Sequence, residues 1–104
     1  MKDRGLTIRA LRSLVTRIQE RESQPFSAQA YVGGPLTHEI SQMKEGWERF
    51  GQILEKRLGR LTLDQRVESQ KRQELAFEVE GAKAAAKRRI VICEKFGNSL
   101  AALH

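Results

Sequence analysis

The sequence predicts an all-α protein of three helices. The second and third form an αα-hairpin with coiled-coil-like packing, and the third is a long C-terminal helix. Two observations carry the prediction. Ile40, Met43, Trp47, Phe50, Leu54 and Leu61 recur at alternating spacings of three and four, with only Arg57 interrupting. That alternation lines up one face of a helix and suits lengthwise packing against another helix. Lys44, Glu45, Glu48, Arg49, Glu55 and Lys56 fall between them as a solvated back. The composition agrees: 39% hydrophobic and 31% charged residues describe a surface-rich helical chain whose segments each carry an apolar stripe. At 104 residues, 1–104 is read as a single domain.

The first helix is expected over about residues 6–22. Leu11, Leu14, Val15 and Ile18 share its apolar face, and Arg9, Arg12, Arg17 and Arg21 occupy the rest of its circumference. Pro25 ends it, because the residue before a proline is pushed out of helical space. Residues 23–37 hold Pro25, Ser27, Gly33, Gly34 and Pro35 and read as an irregular connection, which Phe26 and Tyr31 should pin to the bundle.

The second helix is expected over about 38–58. Thr37 serves as its cap, Glu39 complements its dipole, and Gly59 supplies the left-handed residue beyond its end. Thr62 followed by Gln65 matches a capping box, so the third helix is expected over about 62–96, closed by Gly97-Asn98. Extending the second heptad would place Asp64 and Glu68 on the apolar stripe, which favours a break over one continuous helix. The third stripe comprises Val67, Leu75, Val79, Ala82, Ala86, Ile90, Cys93 and Phe96. Gly81, Ala82, Ala84, Ala85 and Ala86 form a smooth segment that a ring such as Trp47 or Phe50 could approach.

Folding the hairpin about Gly59–Thr62 sets Leu54 against Val67, Trp47 against Leu75, Met43 against Val79 and Ile40 against Ala82. About fourteen residues of the third helix, roughly 21 Å, then project beyond the second. The projection contains Ile90, Val91, Ile92, Cys93 and Phe96, an apolar surface that the first helix or a second copy of the chain must cover. Trp47, the only tryptophan, is expected to anchor the core, with truncation costing about 3–5 kcal/mol.

Motifs for catalysis or metal binding are weak. His38 and His104 lack ligand-spaced partners. Cys93 is the only cysteine, which excludes an internal disulfide, and its apolar neighbours favour an inert thiol. Glu45 with Glu48, and Glu78 with Glu80, read as solvated helix faces, and Gly33-Gly34-Pro35 reads as a turn. The expectation is no enzyme, no cofactor, no metal site and no small-molecule substrate. No apolar run approaches the ~18 residues of a membrane span, and the Met-Lys-Asp-Arg start has no apolar signal core, so a cytoplasmic protein is expected.

The charge is +6, with net +3 in residues 1–24 (six basic, three acidic), +1 in 25–60 (five and four) and +2 in 61–104 (eight and six). A basic chain favours acidic partners. The leading expectation is a non-enzymatic protein–protein interaction module, a small regulator, adaptor or chaperone, that acts through an apolar helix face and self-associates. Ile90, Val91, Phe96 and Leu100 are its candidate contact residues, with Arg88 and Arg89 at the rim. The rival expectation is a helical nucleic-acid-binding protein, a regulator or accessory factor of DNA transactions. Lys83, Lys87, Arg88, Arg89, Arg9, Arg12 and Arg17 are its candidate polyanion contacts.

Overall fold

In the computed structural model, residues 4–26 and 36–102 are described, with side chains given for 7–26 and 38–99. Three helices, α1 (Arg4–Ser23), α2 (Leu36–Thr62) and α3 (Ser69–Ala102), make up the described chain, which contains no strand. They form an elongated bundle of 55 × 21 × 19 Å. The two flanking helices both pack against α3, the spine. Ser27, Tyr31, Gly33, Gly34 and Pro35 of the expected connection lie outside the described residues, as does His104.

Helix α1 uses the face its spacing predicts: Leu11, Leu14, Val15 and Ile18 are all buried. Its end is marked by the Ser23 hydroxyl donating to the Glu20 carbonyl at 2.7 Å, just before Pro25. The helix runs in the same direction as α3. Arg12 Nε meets Glu78 at 3.1 Å near its start, and Arg88 Nε meets Glu22 at 2.8 Å near its end.

The hairpin turn falls later than the sequence suggests. Gly59 and Thr62 both lie inside α2, and the Thr62 hydroxyl donates back to the Gly59 carbonyl at 2.9 Å instead of capping α3. Magnitudes explain why the helix passes its glycine. Gly59 costs about 1 kcal/mol of helix propensity, whereas burying a leucine returns roughly 1.5–3 kcal/mol. One further turn of helix buries Leu61. The reversal then occupies residues 63–68 and is organised by Asp64. Its Oδ1 accepts the Arg66 N–H at 3.0 Å, and its carbonyl accepts the Val67 N–H at 3.1 Å. Arg72 Nη1 also donates to the Thr62 carbonyl at 3.2 Å, closing the end of α2.

The delayed turn changes the register of the hairpin. Each residue of delay carries the facing position about two residues further along α3. Glu55 pairs with Lys83 at 2.7 Å and Lys44 with Glu94 at 3.3 Å. Ile40 lies against Gly97 instead of Ala82, with its Cγ2 3.9 Å from where a Cβ on Gly97 would stand. The fourteen-residue projection of α3 is therefore absent. Gly97-Asn98 does not end α3 either, which continues to Ala102 with Gly97 set against α2.

The core joins Leu11, Leu14, Val15 and Ile18 to Leu54, Leu61, Val67, Leu75, Val79, Ala82 and Ala85. The smooth segment of α3 is approached from α1: Gln19 Nε2 stands 3.5 Å from where a Cβ on Gly81 would lie. Trp47 and Phe50 pack only partly into the core and meet edge-to-face, with ring centroids 5.5 Å apart. Trp47 is a half-buried wall of the bundle, not its central anchor.

Candidate interaction surface

Most residues expected to meet a partner are occupied within the chain. Phe96 packs edge-to-face on Phe26, with centroids 5.8 Å apart, so the segment just after α1 covers that ring. Ile90 is half-buried in a groove that also includes Trp47 and Ala86. Arg88 holds the Glu22 carboxylate at 2.5 Å. Arg89 is only 6% exposed; its Nη2 donates to the carbonyls of Glu22 and Gln24, and its guanidinium lies over the Phe26 ring. Val91 alone among the four apolar candidates is exposed in the described structure, at 39%. Leu100 belongs to α3, but its side chain lies outside the described residues.

The basic candidates divide in the same way. Lys83 meets Glu55 at 2.7 Å and Glu80 at 3.4 Å, and its hydrogen bond to Glu55 holds its pKa above the ordinary lysine value. Arg12 meets Glu78 at 3.1 Å and Glu74 at 3.8 Å. Arg9, Arg17 and Lys87 are exposed and carry no ion pair among the described residues. Of the seven candidates, three remain uncommitted among the described residues, two on α1 and one on α3.

Beyond Val91 and its neighbour Ile92, which is 38% exposed, the most exposed apolar groups lie elsewhere. Phe77 is 82% exposed on α3 and Leu63 is 84% exposed in the turn. Phe77, Ala84 and Val91 are all exposed and stand seven residues apart, so they form one ridge on the outward side of α3. Leu75, Val79, Ala82, Ala86 and Cys93 occupy the opposite, buried side. Glu80 and Lys87 flank the ridge along one edge, both exposed. Phe77 was detectable in the sequence from its position two residues from both Leu75 and Val79. In a helix that offset turns a side chain away from the face its neighbours bury.

Burial pushes the Cys93 thiol up from its ordinary value, an effect that Arg89 and Lys44 oppose more weakly. Among the described residues no three His, Cys, Asp or Glu side chains gather as a metal site, and no described helix is long and apolar enough to cross a membrane. Arg21, Phe26, Met43, Trp47, Phe50 and Arg89 line a pocket of about 360 Å3 beside the end of α1. The chain matches no family model, and no curated protein or solved structure shows significant similarity to it.

Proposed function

We propose that this chain is a non-enzymatic helical interaction module of the cytoplasm, a small regulator, adaptor or chaperone that binds protein through the outer face of α3. The observation that carries the reading is the pair Phe77 and Val91 on one ridge of α3, 82% and 39% exposed. A ring 82% exposed on a helix whose inner face is already packed supports a contact on the outer face. Cys93 is buried, and burial pushes its thiol pKa up, which disfavours a nucleophilic role for it. The site moves accordingly, away from Ile90 and Phe96 and onto Phe77, Ala84 and Val91.

The test is a photo-reactive phenylalanine analogue placed at residue 77 in cells, with one at Gln52 on α2 as the control. A discrete protein adduct from position 77, lost when Val91 is replaced by aspartate, supports the module. No adduct at position 77, or equal adducts at both positions, removes it.

The second reading, a nucleic-acid-binding protein, keeps support from the +6 charge and from the uncommitted Arg9, Arg17 and Lys87. Retention on DNA or heparin that falls steeply with salt and weakens in the Arg9, Arg17, Lys87 triple alanine variant would move it above the first.

A further inference from the structure

We propose that the occupant of the α3 ridge is a second copy of this chain, docked antiparallel about a two-fold axis beside Ala84. The proposal rests on the interaction-module reading and names its partner. A two-fold axis requires a surface complementary to itself, and the ridge has that property. Phe77 and Val91 lie equally far from Ala84 in sequence, so reversing one copy sets each Phe77 against the other's Val91. The small Ala84 then meets its own equivalent at the axis, where the helices approach most closely.

The charges follow the same symmetry. Glu80 precedes Ala84 and Lys87 follows it, on the same edge of the ridge. In an antiparallel helix pair, residues on like edges face one another, so Glu80 of each copy meets Lys87 of the other. A parallel two-fold pair puts like edges on opposite sides, so Glu80 and Lys87 would not meet across it, and this charge pairing arises only in the antiparallel arrangement. Lys87 has no ion pair among the described residues, and Glu80 is held only by Lys83 one turn away. The ridge spans Phe77 to Val91, about 21 Å of helix, and is one helix wide. That is at the small end for a stable interface, so the dimer is expected to dissociate in the micromolar range.

Purified protein is tested by sedimentation equilibrium from about 5 to 500 µM, with the dimer expected to emerge above the 11.9 kDa chain mass as concentration rises. Phe77→Asp should abolish the rise while circular dichroism retains full helicity, because the ring is not part of the core. Glu80→Lys and Lys87→Glu should each weaken association about fivefold, and the double exchange should restore it. Ala84→Cys in a Cys93→Ala background should oxidise rapidly to a covalent dimer, and Gln52→Cys should not. A monomer at every concentration overturns the homodimer, as does a dimer whose Ala84→Cys variant links no faster than the Gln52 control. Failure here together with a heterologous adduct from position 77 would leave the interaction module standing with a different partner. Failure of both experiments would remove both.

Discussion

Arg89 of α3 reaches across the bundle to donate to the carbonyls of both Glu22 and Gln24, so a buried cation closes the end of α1. The last carbonyls of a helix lack intrahelical donors and carry partial negative charge, and a guanidinium there meets both needs. The contact also leaves Arg89 Nε buried without a partner among the described residues, a cost the arrangement tolerates.

Replacing Arg89 by alanine should destabilise the protein by about 2 kcal/mol, the range for charge-assisted bonds to backbone acceptors. Arg88→Ala, which removes an exposed pair with Glu22, should cost no more than about 1 kcal/mol. Urea titration ranks the two variants. Hydrogen exchange should locate the Arg89 effect in the last turn of α1, and unchanged protection there would contradict the capping role.

Gly59→Ala should stabilise the chain by about 1 kcal/mol, since the residue lies within α2 and nothing stands within 4 Å of the added Cβ. The same direction is expected at Gly46 and Gly51, which are also open. The sign decides between two structures. A glycine terminating the helix in a left-handed conformation would make alanine destabilising, so a lowered melting temperature for Gly59→Ala would restore the earlier turn.

Trp47→Ala should cost about 2 kcal/mol, less than a fully buried ring, because Trp47 is a half-buried wall residue. Native fluorescence should be intermediate in wavelength and move red on unfolding. Emission already as red as the denatured protein would mean that the Trp47–Phe50 contact does not form in solution.

Stability should be level through neutral pH and decline in two steps as pH rises. Burial raises the Cys93 pKa in the folded chain. Its contribution is complete below the unfolded value of about 8.5 and is lost above it, where only the unfolded thiol ionises. Lys83 is also raised, by its hydrogen bond to Glu55. That contribution is complete below the unfolded value of about 10.4 and is lost as pH climbs through the folded value. Cys93→Ala should remove the first step and Lys83→Met the second, read by urea titrations between about pH 7 and pH 11. A decline from pH 8.5 that persists unchanged in Cys93→Ala would assign it to another group.

The sequence by itself determined the helices and their inner faces. Leu11, Leu14, Val15, Ile18, Leu54, Leu75, Val79, Ala82 and Cys93 are buried as their spacing requires, because a helix fixes which residues share a face. It also held the evidence for the later turn. Leu61 continued the stripe of α2 past Gly59, and the glycine's local preference concealed what the leucine required. Only the tertiary structure decided the register of α2 on α3, and with it which apolar groups remain outside. A few residues' change in where the chain reverses slides every facing pair, and no local propensity records that slide. The covering of Phe96 by Phe26 and the tethering of Arg89 to the end of α1 depend in turn on where α1 lies along α3. That placement is set by contacts between residues far apart in the chain, such as Arg12 with Glu78 and Glu22 with Arg88. The outward position of Phe77 is the counterpart: it follows from the helix alone, but its 82% exposure follows from where α1 and α2 pack around α3.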